Sequence, residues 1–307
     1  MSSRKSFMKK ITPYLFISPW IIGFLVFTAG PLILSFVMSF FDWPITTAPV
    51  FRGLGNYIEM FTEDAQFGKS LLISLKYAVI FVPLNMVIAL FLAMLISQPI
   101  KGVKIYRTIF YIPAVISGVA ISILWGWILN GDYGVLNYLL SLIGIEGPNW
   151  LVDPAWALLA VIIASAFGVG TMMLIFYTDI KNIPADVYEA AALDGASPGR
   201  QFFSITLPII TPTILFNLIT SLIGAFQQLT LVMLLTGGGP LKSTYFYGMY
   251  TYNNAFKHHR LGYASANAWV MFVIILILTA LVFKSSSAWV FYEAEVKTEK
   301  KKRRKAK

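Results

Sequence analysis

Glu189, Ala190 and Ala191 lie in a polar stretch between two long apolar runs. After three intervening residues comes Gly195, after nine more Ile205, and after one more Leu207 and Pro208. Asp186, Asp194 and Arg200 are the nearby ionisable residues. Carboxylates and small side chains in this pattern suit contact with another protein; nothing here performs hydrolysis. Pro184 suits the first position of a helix, and Asp186 and Glu189 complement the positive end of its dipole. Three consecutive alanines are strong helix formers. Gly195 falls where a left-handed C-terminal cap is needed, and Ser197-Pro198 has the form of a second helix start. The stretch therefore predicts a helix, a glycine turn, and a second helix running into the next apolar run. Val187, Ala190, Ala191 and Asp194 share one face by 3- and 4-residue spacing. Two alanines and a glycine alone would suit an ordinary amphipathic helix on a membrane surface. The full spacing through Pro208 selects a loop held out for a partner.

The elements that must hold this loop are apolar. The 307 residues are 57% hydrophobic and 12% charged, against ~25% charged in a soluble domain. Charge-free runs cover 11–41, 77–100, 108–131, 154–178, 201–241 and 261–283. Each exceeds the ~20 residues a helix needs to cross a bilayer. The prediction is an all-α polytopic membrane protein with six transmembrane helices. There are no cysteines, so neither a disulfide framework nor a cysteine metal site is available. The net charge of +10 gathers at the two ends, which argues against a nucleic-acid surface. Gly68-Lys69-Ser70 resembles the end of a phosphate-binding loop, but Glu63 occupies the place of its first glycine. His258 and His259 stand in a polar loop without nearby carboxylates and read as solvent-exposed.

In chain order, 1–12 reads as an N-terminal tail and 13–69 as the first span and an outer loop. The core is 70–289, containing the polar loop 184–208, and 290–307 is a basic tail. The spans are expected at about 14–41, 70–97, 108–130, 155–178, 209–236 and 264–289. Pro13, Pro19 and Pro31 suggest an interfacial start and a kink in the first. Lys76 reads as a lysine snorkelling to the interface. Trp125 and Trp127 read as interfacial anchors, and Gly168 and Gly170 as sites of close helix packing. Gly237, Gly238, Gly239 and Pro240 should break the fifth span. Placing both termini inside gives the inner segments 17 lysines and arginines and the outer loops 5. That bias assigns both termini and the 184–208 loop to the cytoplasm. The run Lys300 to Lys305 is expected to lie loosely on anionic lipid.

The 189–208 spacing is the EAA signature, and the chain resembles permease subunits of carbohydrate-uptake ABC importers. Relatives of that class carry maltose-like oligosaccharides and glycerol phosphate. The resemblance covers nearly the whole chain. It includes YLFISPWIIGFLVFTAGPLILSF, YRTIFYIPAVIS, Gly134 to Asn137, NWLVDPAWALLAVI, TGGGPLKST and AFKHHRLGYASANA. Phe167-Gly168 departs from it, where relatives often carry tryptophan. The first-span and GGGP features are similar to the first of two different permease subunits. The resemblance implies the type I ABC importer permease fold in a bacterial plasma membrane, and a transport subunit rather than an enzyme. Implied partners are a second permease, a cytoplasmic ATPase dimer, an extracytoplasmic solute-binding protein, a sugar and membrane lipid, with no nucleic acid. No cofactor belongs to this chain; ATP and Mg would sit on the ATPase. By resemblance, Glu189, Ala190, Ala191, Asp194, Gly195, Leu207 and Pro208 couple to the ATPase. Gly237 to Pro240 lie in an outer loop near the binding protein.

A sugar path needs polar groups within the spans. Asn217, Ser221, Gly224 and Gln228 recur at offsets of 0, 4, 7 and 11. On one helix they form a stripe within about 60°, from which Gln227 points away. Asn85 is a further mid-depth candidate. Amides in lipid must pair or face water, so the stripe either meets sugar or bonds to a neighbouring helix. Two other classes compete. An ion-driven secondary transporter predicts membrane-embedded carboxylates, and the spans hold none at mid-depth. A non-transporting scaffold gives no reason for the full signature.

Overall fold

A computed structural model describes residues 2–99 and 101–291; the basic run Lys300 to Lys305 lies outside them. The chain divides into two compact units, Met1–Phe67 with Thr251–Phe272, and Gly68–Tyr250 with Val273–Lys307. In the first, α1 (Ser2–Phe24) passes through a π-helical turn, Leu25–Ala29, into α2 (Gly30–Met38). Pro31 would press on the carbonyl four residues back and supplies no N–H. The wider turn, closed by the Gly30 N–H on the Leu25 carbonyl, relieves this, so the expected kink takes the form of one extra residue per turn. Pro13 and Pro19 sit inside α1 and do not mark its start.

The segment between the first two spans has structure of its own. β1 (Phe41–Asp42) pairs antiparallel with β2 (Val50–Phe51), and α3 (Gly55–Thr62) follows. Buried Asn56 donates to the carbonyls of Ser39 and Phe41, both at 2.9 Å. Glu59 accepts from Arg52 at 2.8 Å and from Arg260 at 2.7 and 2.8 Å. The Arg260 guanidinium also lies 4.2 Å over the Tyr263 ring, whose hydroxyl donates to Asp64. This network fastens α3 to the start of α16 (Leu261–Ser286). Gly262 has no room for a Cβ against the Phe41 carbonyl.

The second unit carries the bundle. α4 (Ala65–Ser97) begins five residues earlier than expected and contains Pro83 without ending there. After it come α5 (Val103–Val115), α6 (Gly118–Ile128), α7 (Val135–Leu142), α8 (Pro154–Ala166) and α9 (Gly170–Asn182). Then follow α10 (Ala185–Leu193), α11 (Pro198–Gln201), a π turn Phe202–Thr206 and α12 (Leu207–Ile209). α13 (Thr211–Phe226), α14 (Thr230–Leu235) and α15 (Tyr247–Tyr252) complete it. Tyr14–Met38, α4 and α16 are each long and apolar enough to cross a membrane. Three bent pairs bring the number of spans to six: α5 with α6 at 100°, α8 with α9 at 50°, and α11–α12 with α13 at 66°.

The third, fourth and fifth spans are thus each broken. Ile116 and Ser117 are extended between α5 and α6, where Pro113 has already removed one ladder donor. The fifth span also stops at Phe226, ten residues short of expectation, and α14 follows as a separate helix packed on α6 and α8. Gly237 to Pro240 therefore close α14 rather than break the span. The Trp125 ring meets Phe167 edge-on at 5.6 Å and its Nε1 is buried, so the indole packs into the bundle. Trp127 is exposed.

The core of this unit is a seam between α4 and α9. Ala89, Ala93 and Ile96 pack with Val169, Met172, Met173, Phe176 and Ile180. The two expected packing glycines differ. Gly168 is exposed, whereas a Cβ on Gly170 would strike the Phe110 carbonyl oxygen and stand 2.8 Å from the Tyr111 Cα. Backbone cannot yield as a flexible side chain does, so Gly170→Ala should force α5 and α9 apart. The expected loss is about 1–3 kcal/mol, read as a lower melting temperature of the purified protein.

Burial alone would raise the Glu59 carboxyl, but hydrogen bonds from Arg260 and Arg52 outweigh it and hold the group below the usual carboxylate range. Its contribution is complete above that range and is lost as pH falls through the depressed folded value. Glu59→Gln should cost about 1–2 kcal/mol at neutral pH, since charge-assisted bonds give more but both arginines are about a third open to water. Melting curves of the two proteins should converge as the buffer is acidified.

Candidate functional site

The polar loop folds as its residue types require. Pro184 precedes α10 as its N-cap, one place before the expected first helical position, and Asp186 occupies the first turn. At the other end Gly195 has φ +77°. Its N–H donates to the Ala192 carbonyl at 3.0 Å, and the Ala196 N–H to Ala191 at 2.9 Å. That double closure is the left-handed C-terminal motif. No atom lies within 4 Å of a Cβ at Gly195, so backbone conformation alone demands glycine. Ser197 Oγ then accepts the Arg200 N–H at 3.4 Å, with Pro198 opening α11. Before Pro208 the chain repeats the device used before Pro31: the Leu207 N–H closes a π turn on Phe202.

Almost all of α10 is exposed. Asp186, Val187, Glu189, Ala190 and Asp194 are open, while Ala191 is half-buried. The expected shared face is therefore split, with Ala191 turned towards the bundle. Among the described residues none of the three carboxylates forms an ion pair. Leu193 is 90% exposed and had not been singled out. Its signal in the sequence is an apolar side chain that follows three alanines, two places before the glycine turn. Leu207 and Pro208 are half-buried at the foot of α13, where they support the loop. Tyr188, the other half-buried side chain, packs on the α4–α9 seam and bonds Thr206 at 2.7 Å.

The expected polar stripe does not survive as one face. Asn217 is buried and donates to the Thr213 carbonyl one turn back. Ser221 is half-buried, and Gln228 lies beyond the helix end. The exposed face of α13 instead carries Phe216, Thr220, Gly224 and, at its cap, Gln227. Gln227 is therefore the exposed glutamine and Gln228 the half-buried one, because the helix stops before its period reaches Gln228. Gln228 and Ser165 both face the hydroxyl of fully buried Tyr77, which has no partner in hydrogen-bond geometry. Asn85 is buried too, with its Oδ1 unpaired. The folded bundle thus joins one expected residue, Gln228, to two unexpected ones.

On the opposite loops, Gly237 and Gly238 take φ of +61° and +82° ahead of a cis Gly239–Pro240 bond. Thr244 Oγ1 donates to the Gly239 carbonyl at 2.6 Å and fixes the turn. Asp132, Tyr133, Asn137, Tyr138 and Glu146 line a cavity of 640 Å³ in the 131–149 loop. Asn137 shapes it by bonding the carbonyls of Gly131 and Pro148 and accepting from Trp150 Nε1 at 2.7 Å.

Broken membrane spans around an exposed, alanine-rich loop point to the class of a transport permease. Residues 85–291 match the family of binding-protein-dependent transport system inner membrane components, and the chain belongs to that family. It is 44% identical over 300 residues to a probable ABC transporter permease, YesP, of Bacillus subtilis, covering 96% of this chain and 97% of that one. It is 30% identical to the trehalose/maltose transport permease MalF of Thermococcus litoralis, covering 92% and 96%. Its fold matches a chain of a bacterial alginate ABC transporter crystallised with an alginate pentasaccharide-bound periplasmic protein. The TM-score is 0.80 at 25% identity, covering 92% of this chain and 96% of that one. The chain is a membrane-embedded transport subunit, not an enzyme.

Proposed function

We propose that this chain is one of two unlike permease subunits that carry an oligosaccharide into a bacterial cytoplasm. A pair of cytoplasmic ATPases, holding ATP and Mg, drives the cycle, and an extracytoplasmic binding protein delivers the sugar. The observation that carries the reading is the exposed α10 helix, with small residues and Leu193 on an otherwise unoccupied surface before a left-handed glycine turn. An ATPase groove would cover Leu193 and meet Glu189, Ala190 and Asp194. The names borne by the trehalose/maltose relative and the alginate complex support a sugar cargo. Gly237 to Pro240 and the tyrosine-bearing 131–149 cavity are the surfaces offered to the binding protein. Both termini lie in the cytoplasm, on the distribution of lysine and arginine.

The test is purification with the ATPase. Leu193→Ala should weaken docking by about 1–2 kcal/mol, roughly ten-fold in affinity. Gly195→Val should distort the turn at a cost of about 1–2 kcal/mol and reduce the ATPase recovered. Unchanged recovery for both would overturn the docking role.

The path uses the polar groups of the spans. Gln228, with Tyr77 and Ser165, forms one cluster; Asn85, Asn217 and Ser221 are the remaining candidates for the path. Gln228→Leu should lower uptake at least several-fold while the assembled complex is recovered in full. Normal uptake of sugar by that variant would remove Gln228 from the path.

A further inference from the structure

The α10 helix is held to the bundle by very little. Among the described residues, Tyr188 is its one side chain hydrogen-bonded to another element, hydroxyl to hydroxyl with Thr206 at 2.7 Å. Thr206 is 6% exposed and is the last residue of the π turn from which α12 and α13 rise. The Tyr188 ring rests on the α4–α9 seam. Around it lies a cavity of 610 Å³, reached by Met94, Gln98, Ile183, Gln201 and Phe202 as well as the bonded pair. A second tie, Gln201 Nε2 to the Ala196 carbonyl at 3.1 Å, joins α11 to the turn rather than to α10.

We propose that the Tyr188–Thr206 bond is the link through which displacement of α10 reaches the fifth span, Tyr188 acting as a positioning residue. The inference rests on the docking role proposed for α10. A helix packed tightly along its length would pass a push to all its neighbours at once. Here the space beneath α10 lets the helix move, and beside the contact of its ring with the α4–α9 seam the Tyr188 hydroxyl ties that movement to one residue. That residue, Thr206, ends the π turn leading into α12, with a 66° bend between α12 and α13, so a shift at Thr206 reaches α13 through that bend. The exposed face of α13, Thr220, Gly224 and Gln227, is the surface that would be re-aimed.

Because the chain has no cysteine, Thr220→Cys and Gln227→Cys each give a single reporter in this subunit, read after it is separated from the others. Each is purified as the complete complex with its second permease and ATPase. Labelling by a water-soluble maleimide is compared without nucleotide and after trapping with ATP, Mg and vanadate. In the parent complexes trapping should change the labelling rate several-fold at one reporter or both. Adding Tyr188→Phe should leave the complex assembled and hydrolysing ATP, yet reduce that change by at least half. Thr206→Val should do the same, the double variant should be no worse than either, and Thr206→Ser should restore the parent response. An undiminished change in Tyr188→Phe would overturn the proposal. So would loss of assembly in that variant, which would make Tyr188 a support of the docking surface. Absence of any change at both reporters in the parents would likewise overturn it. Failure of the parents to bind ATPase would instead overturn the docking role itself, before any change at Tyr188.

Discussion

A peptide group in hydrocarbon has no water to bond with, and each group left unpaired costs several kcal/mol. The irregularities of this chain are shaped by that constraint. Where prolines would break the ladder, at Pro31 and Pro208, a π turn keeps the preceding N–H groups bonded. At the bend between α8 and α9, the N–H groups of Gly168 and Val169 fall back on the carbonyls of Ser165 and Ala166. Hydroxyls inside the spans bond their own helices, as Ser122 does to Gly118, Thr178 to Leu174 and Thr220 to Phe216. Such bonds satisfy the hydroxyl and also loosen or bend the helix.

The same constraint makes the polar atoms that remain unpaired informative. Tyr77 Oη, Asn85 Oδ1 and Trp125 Nε1 are buried without partners. In an apolar bundle these groups are costly unless water, a ligand or a rearranged helix supplies the missing bond. A transporter must pass a polar solute through such an interior, so some of its buried groups have to be free at one stage of the cycle. Broken spans serve the same end, since irregular backbone within a membrane is stable only when it is buried in protein or lines a water-filled cavity.

The two halves of the protein handle polarity differently. The network around Glu59 uses charge, hydrogen bonds and a cation–π contact to fasten short elements together. Among the described residues the three carboxylates of the α10 loop form no ion pair, and its Leu193 is almost bare. The first arrangement resists movement. The second leaves its surface available and depends on backbone conformation, at Gly195 and Ser197, for its shape.

The α10 loop was legible in sequence because its structure is set by neighbours in the chain. Proline, the alanine run, Gly195 and Ser197-Pro198 each act within about one helical turn, and no distant contact overrides them. Six spans were legible because hydropathy over ~20 residues is a local quantity. Hydropathy does not record direction, however, so the 100° bend at Ile116-Ser117 and the early end of α13 at Phe226 were not readable as such. With the helix end misplaced, the period put Gln228 on the stripe and Gln227 off it. Which glycine is crowded, Gly170 rather than Gly168, depends on where α5 comes to lie. Only tertiary packing decided that Tyr188 meets Thr206 across 18 residues and that Tyr77, Ser165 and Gln228 share one interior site, because those groups belong to elements whose sequences carry no mark of one another.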